Sequence, residues 1–267
     1  RSTIFKRQFF PRFLLWMTIP VVDVDADLFP ADRVQGLCRA FEATFPGVRM
    51  DAIARCPGRV NLVGEHVDYS GFGVLPMAIG RDVQIAVGTC ACTSDTCTCP
   101  SLRVANIRGD DAFPPLTVVG DLVIDAGAHA WTNYVLCGVK GFLDVSSAPR
   151  KPLCLMVDGR VPLGGGVSSS SALVCAAFVA AMHAHGQALD GALVASEAAR
   201  CERYVGTMSG GMDQAISILA QRGIAKRIEF HPTLVATNVR LPPNTVFVVA
   251  NSMVESAKYV TASTCYN

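Results

Sequence analysis

The sequence predicts a folded chain of the α+β class. The order of its segments indicates the class, and its composition indicates that the chain folds. Segments with the pattern of strands and segments with the pattern of helices are mixed along the chain, but they do not follow the strict strand–helix–strand alternation of a parallel sheet. Apolar residues make up 51% of the 267 residues and charged residues only 17%. This composition provides enough apolar surface for a core and excludes a disordered chain.

The first part of the chain is predicted to hold one helix and four short strands. Asp32 can cap a helix whose apolar residues recur on one face, and Gly47 is a typical stop signal after it. Short runs rich in apolar and β-branched residues then indicate strands. These strands cover residues 53–56, 83–87, 102–107 and 116–119.

The remainder is predicted to alternate helices with three further strands. The helix over 169–184 is almost entirely apolar, so we expect it to be buried on most of its sides. The other predicted helices mix apolar with polar residues and cover 131–143, 193–204 and 212–221. The strands are predicted over 153–157, 225–230 and 246–250.

We expect three regions along the chain. Residues 1–31 are a leader or tail without stable structure, residues 32–200 form a first domain, and residues 201–267 begin a second, incomplete domain. The first residues combine basic side chains with an apolar run, as a targeting leader does. Arg12 interrupts that run, however, and no small-residue cleavage site follows. We therefore favour a tail, or an extension that arose from cloning or gene prediction.

Composition also limits the partners and the compartment. The chain has 23 basic and 22 acidic residues, a net charge of +1, which argues against nucleic acid or an acidic membrane as partner. The longest apolar run, over 172–182, is shorter than the roughly 20 residues that a membrane span needs. Eleven cysteines, many of them in apolar segments, are typical of the reducing cytoplasm rather than of a disulfide scaffold.

Four of these cysteines form a cluster at Cys90, Cys92, Cys97 and Cys99. Four thiols so close in sequence could bind zinc. The C-x-C spacing differs from the usual ligand pairs of zinc sites, which are separated by two to four residues. We therefore favour a cysteine-rich surface loop, and zinc stays the alternative.

The strongest local signal is the segment 162–171, which reads Pro-Leu-Gly-Gly-Gly-Val-Ser-Ser-Ser-Ser and leads into the apolar helix. Glycines allow the backbone to approach a ligand closely, and a helix N-terminus offers free N–H groups and a partial positive charge. This pattern predicts a phosphate-binding loop, although it is neither a Walker A loop nor a G-x-G-x-x-G motif. The alternative is a turn with a serine N-cap.

Two further segments concentrate polar groups. Residues 57–71 bring Arg59, Glu65, His66 and Asp68 into a span rich in glycine and proline, which suits a polyhydroxylated ligand. The alternative is a solvated loop with surface ion pairs. Residues 210–214 place an aspartate, Asp213, directly after two glycines at the start of a helix. This residue is a candidate base or charge partner, or else a plain N-cap.

Together, these three segments resemble the galactokinases, a family of the GHMP kinases. The span 59–69 is similar to the galactokinase signature, 162–171 to the GHMP phosphate loop and 211–214 to the galactokinase catalytic segment. The resemblance extends over about residues 53–267 and is closest to the eukaryotic N-acetylgalactosamine kinase and fungal galactokinase branch. It implies a GHMP kinase fold, in which an N-terminal domain of the ribosomal protein S5 domain 2-like type precedes the start of a second α+β domain.

The resemblance also implies roles for single residues. Asp213 would be the base or the electrostatic anchor for the anomeric hydroxyl of the sugar, and Arg59 would keep Asp213 ionised and stabilise the transferring phosphoryl group. The sugar would be galactose or N-acetylgalactosamine, with ATP and Mg²⁺ as cofactors. The implied sugar-binding residues are Glu65, His66, Asp68, Gly210 and Tyr266. The implied ATP-binding residues are Gly164, Gly165, Gly166, Ser168, Ser169, Trp131, Tyr134 and Lys258. The implied Mg²⁺ ligands are Ser170 and Glu202.

The implied function is ATP-dependent phosphorylation of galactose at its anomeric hydroxyl, by a monomer in the cytoplasm. N-acetylgalactosamine kinase is the nearest alternative, because Ser70 replaces a usual asparagine near the sugar. A second departure from the family is Ala257, which replaces a frequent asparagine that contacts the nucleotide. A sugar- and ATP-binding sensor without catalysis is an alternative of another class. The third glycine-rich motif of the family has no copy here, so we expect the chain to be a C-terminally truncated fragment.

Overall fold

The structure is a computed structural model that describes residues 18–22, 30–90, 99–128, 130–188, 190–206, 210–250 and 252–254. Short 3₁₀ turns at Asp68–Ser70 and Arg203–Val205 accompany the longer elements. In chain order these elements are α1 (Ala31–Thr44), β1 (Arg49–Asn61), β2 (Pro76–Thr89), β3 (Leu102–Asn106), β4 (Leu116–Val118), α2 (Thr132–Val145), β5 (Leu153–Gly159), α3 (Ser169–Ala184), α4 (Gly191–Glu202), α5 (Met212–Leu219), β6 (Ile224–Glu229) and β7 (Val235–Arg240).

Two sheets organise the described residues. Five strands form a mixed sheet in the order β1-β2-β5-β3-β4, in which β3 and β5 are parallel and the other neighbours are antiparallel. Strands β6 and β7 form a separate antiparallel hairpin. The mixed pairing, with helices between strands but no regular alternation, confirms the predicted α+β class.

The five-stranded sheet is covered on both faces. On one face, Leu37 and Phe41 of α1 pack against Ala86 and Met156 of the sheet. On the other face, α2 to α4 pack against the alternate side chains of the same strands, such as Ile85. The sheet therefore lies in the middle of the fold, and strand residues alternate between two apolar layers.

Helix α3 confirms the prediction of a buried helix. Twelve of its 16 residues are buried, because the sheet, α2, α4 and α5 surround it. Gly138 of α2 permits this close packing, since a Cβ atom there would lie 2.4 Å from the carbonyl oxygen of Val174. None of the helices in the described ranges combines the length and the apolarity that a membrane span requires.

The β6–β7 hairpin is attached to the rest of the fold by backbone hydrogen bonds. The N–H of Val74 donates to the carbonyl of Ile228 at 3.0 Å, and the N–H of Ile228 donates back at 2.9 Å. Both side chains join a small apolar cluster with Met212 and Ile216 of α5. The hairpin thereby supports the helix that carries Asp213.

Three predicted element boundaries were wrong. Pro30, not Asp32, is the N-cap residue of α1, and Asp32 lies in the first helical turn. Strands β1 and β2 are much longer than predicted. The presence of Pro57 and Gly58 hid the full length of β1 in the sequence, but a register shift between Pro57 and Arg59 accommodates both residues.

The strand predicted over 246–250 was also wrong, because the structure assigns no strand to those residues. Val246 and Val248 are instead 81% and 86% exposed. The partner of β6 is β7, which reads Val-Ala-Thr-Asn-Val-Arg and lacks a continuous apolar run. The apolar pattern favoured a strand over 246–250. The strand instead forms at Val235–Arg240, because this segment follows β6 closely and pairs with it as a hairpin.

The predicted boundary between residues 200 and 201 falls near the end of α4. Cys201 and Ala198 of this helix are fully buried in the core that α2 and α3 share. The division of the chain into domains at this point stays a prediction.

Candidate active site

The predicted phosphate loop connects β5 to α3. Gly164, Gly166 and Ser168 have positive φ values of 63°, 67° and 61°, a backbone conformation that glycine adopts readily and serine rarely. Ser168 is the N-cap residue of α3, yet its side chain makes no capping hydrogen bond. Its Oγ atom is shielded from solvent and has no hydrogen-bond partner. A buried hydroxyl without a partner beside a helix N-terminus favours a ligand role over simple capping.

Arg59 joins three segments that are far apart in sequence. Its Nε donates to Asp213 Oδ1 at 2.6 Å, and its Nη1 donates to the carbonyl of Gly166 at 2.8 Å. The Arg59 backbone N–H also bonds the carbonyl of Val167 at 3.1 Å. The predicted signature, phosphate loop and catalytic segment therefore meet at one guanidinium.

The Arg59–Asp213 pair is buried on one side and open on the other. Arg59 is 4% exposed, and the carboxylate side chain of Asp213 is 20% exposed. A rigid guanidinium with few water contacts holds a carboxylate in a fixed orientation. Asp213 is thus held in place, but it can still reach a ligand from the solvent side.

Two glycines permit the close contacts around this pair. A Cβ atom on Gly58 would lie 2.7 Å from the carbonyl oxygen of Val167. A Cβ atom on Gly210 would lie 2.3 Å from the backbone nitrogen of Tyr69. Both distances are shorter than any side chain tolerates, so only glycine lets the signature touch the phosphate loop and the start of α5.

The predicted sugar-binding residues lie along the turn between β1 and β2. Asp68 accepts a hydrogen bond from the backbone N–H of Met212 at 3.2 Å, and this bond ties it to the first turn of α5. Glu65 accepts from Asn61 Nδ2 at 3.1 Å. Glu65 and His66 are exposed, and His66 has a φ of 58°. The structure brings Asp68 and Gly210 beside the Asp213 helix and leaves Glu65 and His66 facing solvent.

Glu202 is a buried carboxylate next to the phosphate loop. It is 2% exposed, and its Oε2 accepts hydrogen bonds from Ser171 Oγ at 2.8 Å and from Gln214 Nε2. Burial raises the pKa of Glu202, while hydrogen bonds from Ser171 and Ser170 act in the opposite direction. A carboxylate beside serine hydroxyls at a helix start is the oxygen donor set that Mg²⁺ takes alongside phosphate.

The predicted adenine-side aromatics lie at the N-terminal end of α2. Trp131 donates its Nε1–H to the carbonyl of Pro114 at 3.0 Å and packs edge-on against Phe113. Tyr134 is half-buried against the core. Helices α2 and α3 run in the same direction, since Gly138 meets Val174 and residues further along both helices also meet. Trp131 therefore lies at the same end of the helix pair as the phosphate loop.

The remaining predicted residues are Gly165, Ser169, Tyr266 and Lys258. Gly165 and Ser169 belong to the loop and the first turn of α3. Tyr266 and Lys258 lie outside the described residues. A cavity of about 460 Å³ also borders the loop, and it is lined by Pro162, Val167, Phe247, Val249 and residues 77–81.

Sequence reasoning missed several residues of the site. Asn61 binds Glu65, and its Oδ1 is shielded from solvent without a partner. Ser171 and Gln214 hold Glu202, and Ser217 Oγ donates to the carbonyl of Pro57 at 2.9 Å. Asn61, Ser171 and Gln214 belong to the three segments that predicted the site, and their polar side chains were the signal that could have identified them. Ser217 lies outside these segments.

Comparisons with known proteins agree with this geometry. The galactokinase galactose-binding signature matches residues 39–89, and the N-terminal domain of the GHMP kinases matches residues 133–221. Among solved structures, Lactococcus lactis galactokinase complexed with galactose has a TM-score of 0.67 at 19% identity, covering 82% of this chain and 57% of that one. Methanococcus jannaschii mevalonate kinase has a TM-score of 0.56 at 18% identity, covering 74% and 57%. At these identities the likeness shows the fold alone, which is that of the GHMP kinases.

Curated relatives extend the match over most of the chain. Galactokinase of Dictyostelium discoideum is 41% identical over 242 residues, which are 88% of this chain and 47% of the relative. Galactokinase of Candida albicans is 35% identical over 94% of this chain and 50% of the relative. The chain therefore spans about half the length of these two relatives. It is also 35% identical to galactokinase of Candida maltosa, of which it covers 87%. With both signatures in place, the chain belongs to the galactokinase family.

Proposed function

We propose that the protein phosphorylates galactose with ATP at the anomeric hydroxyl and thereby forms galactose 1-phosphate. The observation that carries this proposal is the position of Arg59, which binds both the carboxylate of Asp213 and the carbonyl of Gly166 in the phosphate loop. One side chain thus links a candidate base to a candidate phosphate cradle. Phosphoryl transfer needs mainly such positioning, together with charge neutralisation.

Asp213 would accept the hydrogen bond, and then the proton, of the anomeric hydroxyl as its oxygen attacks the terminal phosphorus. Arg59 would keep the carboxylate oriented, because its guanidinium is almost fully buried and also donates a hydrogen bond to the carbonyl of Gly166. The same positive charge would lie beside the transferring group, where it would stabilise the negative charge of the transition state more than that of the ground state.

The loop over 164–168 would hold the phosphates of ATP. Its positive φ values turn the backbone so that N–H groups can converge on an anion, and the first turn of α3 adds N–H groups without partners inside the helix. The Oγ of Ser168, which has no partner, would be a further donor to the phosphates. Trp131 and Tyr134, at the same end of the helix pair, would border the adenine.

Glu202 and Ser170 would hold Mg²⁺, whose chemistry is to neutralise phosphate charge and fix the phosphate geometry. The fit rests on the donor set, a buried carboxylate with serine hydroxyls at the phosphate-loop end of α3. The residues themselves keep this position ready. Gln214 and Ser171 orient the Glu202 carboxylate by donating hydrogen bonds to it.

The sugar would lie between Asp213 and the turn after β1. Asp68 is oriented by its bond to the start of α5, and Glu65 by Asn61. Both are acceptors suited to ring hydroxyls, and a site that hydrogen-bonds a hydroxyl rejects analogues in which that hydroxyl is missing or inverted. We expect Glu65, His66 and Asp68 to distinguish galactose from glucose, which differ only at C4.

The test is an ADP-release assay on the natural, full-length gene product with galactose, N-acetylgalactosamine and glucose compared at equal concentration. We expect galactose to give turnover on the order of 1–100 per second and glucose to give little. A higher specificity constant for N-acetylgalactosamine would move the assignment to that sugar. Tight ATP and galactose binding without ADP release would instead identify a sensor.

We also propose the cytoplasm as the compartment. Cys56, Cys137, Cys175 and Cys201 are buried free thiols in the core, and a reducing compartment keeps such thiols unmodified. Fractionation of cells that express the full-length gene product would check this, because we expect the protein in the cytosolic fraction.

A further inference from the structure

Two thiols meet at the end of the large sheet that lies away from the phosphate loop. Cys90 directly follows β2, and Cys99 precedes β3 by three positions. Their Sγ atoms are 3.3 Å apart, about 1.3 Å longer than a disulfide bond. Both residues are half-buried, so small molecules in solvent can reach them.

The topology of the sheet produces this meeting. Strand β5 lies between β2 and β3, antiparallel to the first and parallel to the second. The end of β2 and the start of β3 are consequently both beside the start of β5, where Thr89 and Leu102 are each register partners of Leu153. The two cysteines continue these strands across the same point of β5.

Backbone hydrogen bonds fix both sides of the pair. The N–H of Cys90 donates to the carbonyl of Pro152 at 3.2 Å, and the N–H of Leu153 donates to the carbonyl of Ser101 at 3.1 Å. Cys90 is thus anchored directly, and Cys99 is two residues from an anchored position. The sheet therefore brings the backbones of the two cysteines close together.

The buried cysteines form a contrasting set. Burial raises the pKa of Cys56 and of Cys137 to about 12, and it also raises the pKa of Cys154. A thiol that stays protonated does not attack a disulfide, so these residues are expected to be inert. The half-buried pair differs from them in access, and each of its members has a second thiol within reach.

We propose that Cys90 and Cys99 are a dithiol that low-molecular-weight disulfides oxidise reversibly to an intramolecular disulfide. One cysteine, as thiolate, attacks a sulfur of the small disulfide and releases one small thiol, which leaves a mixed disulfide on the protein. The second cysteine attacks the protein sulfur of that mixed disulfide and releases the second small thiol. The two protein thiols lose two electrons and two protons, and the small disulfide gains them as two thiols.

The cross-link has a defined structural consequence. It connects β2 and β3 across the start of β5, and the phosphate loop begins after the other end of this strand. The seven residues of β5 extend over about 23 Å. Oxidation should therefore raise the resistance to unfolding, by closing a short loop in the unfolded chain, without changing turnover or substrate affinity.

The experiment oxidises the reduced, full-length gene product with oxidised glutathione, alkylates the remaining thiols and maps the peptides. We expect a Cys90–Cys99 linked peptide, a mass lower by two hydrogens and a melting temperature higher by several degrees, all reversed by dithiothreitol. Cys90→Ser and Cys99→Ser should lose the cross-link and the melting shift, and each should stop at a mixed disulfide with glutathione. Cys38→Ser, which removes another half-buried thiol, should behave like the parent protein.

Three outcomes would overturn the proposal. The first is a disulfide that maps to Cys92 or Cys97 instead. The second is that Cys90 and Cys99 of the parent protein are both fully alkylated, and thus still reduced, at a glutathione redox ratio at which Cys99→Ser already forms its mixed disulfide. The third is stoichiometric zinc in the purified protein that protects both thiols from glutathione and from alkylation, which would establish the metal site instead.

Discussion

Two buried arginines lie in different parts of the fold, and they differ in how open their partners are to solvent. Arg33 of α1 is enclosed by two carboxylates and two carbonyls. Its Nε donates to Asp158 at 2.6 Å, its Nη1 donates to Asp82, and its Nη2 reaches the backbone carbonyls of both residues at 3.0 and 3.5 Å. Arg55 binds the other oxygen of Asp82. All charges of this cluster are compensated, and the side chains of Asp82 and Asp158 are only 3% and 8% exposed.

Arg59, in contrast, has one carboxylate and one carbonyl as side-chain partners, and that carboxylate belongs to a residue with a fifth of its side chain in solvent. Its carbonyl partner belongs to a loop of glycines rather than to a strand. An arginine whose partners are all internal connects parts of the fold, whereas an arginine whose partner faces a cleft can act on a ligand. Burial alone does not distinguish the two, and only the openness of the partner does.

The comparison is tested most strongly by replacing Asp213 with asparagine. We expect turnover per folded molecule of the full-length protein to fall by about 10²–10⁴-fold, since general-base contributions have that size. The melting temperature should also fall, because the substitution removes the charge that compensates the buried Arg59. Stopped-flow or coupled kinetics and a thermal melt measure both quantities on the same preparation. Asp82→Asn is the matched control, because it removes the same charge from the Arg33 cluster and should reduce stability and leave turnover per folded molecule unchanged. Turnover close to that of the parent would make Asp213 a structural residue of α5.

The second prediction concerns Arg33→Met. Removing one partner leaves Asp82 and Asp158 buried with weaker compensation, and breaking a buried pair in this way costs about 3–5 kcal/mol. Urea unfolding should show this loss, while the kinetic constants of the remaining folded protein stay those of the parent. Leu37→Ala, on the same helix and fully buried, is a control for a loss of packing without a loss of charge. A fall in turnover specific to Arg33→Met would connect the α1 face to the active site.

The sequence predicted the chemistry of Arg59 and Asp213 but not the cluster around Arg33, and the reason is where these residues lie in the chain. Arg59 and Asp213 belong to short motifs whose residue types indicate their chemistry, and the order of motifs identified the family and the fold. Arg33 is one charged residue in an amphipathic helix, and its partners come from β2 and β5. Their convergence depends on strand order and register, which local patterns do not contain.

The same reason explains the residues of the site that were missed. Gln214 stands beside Asp213 in sequence, but the next position along a helix points about 100° away, and here it points to Glu202. Ser171, to which the motif assigned no role, makes the 2.8 Å bond to Glu202, and this contact depends on how α3 and α4 pack. Motifs therefore predicted the position of the site, and packing determined which side chains support it.

The third prediction uses the raised pKa of Glu202. Because burial raises this pKa in the folded state, the contribution of Glu202 to stability is fully present below its unfolded pKa of about 4.3. It is lost as the pH rises through the folded pKa. Glu202→Gln should flatten this dependence, so that the variant equals or exceeds the parent in unfolding free energy at about pH 8, well above the ordinary carboxyl range. Urea unfolding across the pH range, without Mg²⁺, measures this effect.

The activity of Glu202→Gln provides the independent half of this test. If the carboxylate holds Mg²⁺, the variant should need about tenfold more Mg²⁺, or more, for half-maximal turnover. Glu197→Gln, on the same helix but ion-paired at the surface with Arg200, should change neither the Mg²⁺ requirement nor the pH dependence. An unchanged Mg²⁺ requirement in Glu202→Gln would leave Glu202 with a structural role only.

The smallest expected effect, and the sharpest comparison, is between two glycines at opposite ends of α3. Gly166 precedes the helix with a φ of 67°, and Gly186 follows it with a φ of 69°. A Cβ atom added at either position would meet nothing within 4 Å. Gly166→Ala and Gly186→Ala should therefore each cost about 1–2 kcal/mol of stability from backbone strain alone.

Only Gly166 lies in the phosphate loop, where a methyl group would stand between the backbone and a bound triphosphate. Calorimetry on the full-length protein should thus show weaker ATP binding for Gly166→Ala alone, with galactose binding preserved in both variants. Equal ATP affinities in the two variants would reduce the loop to a turn that starts a helix.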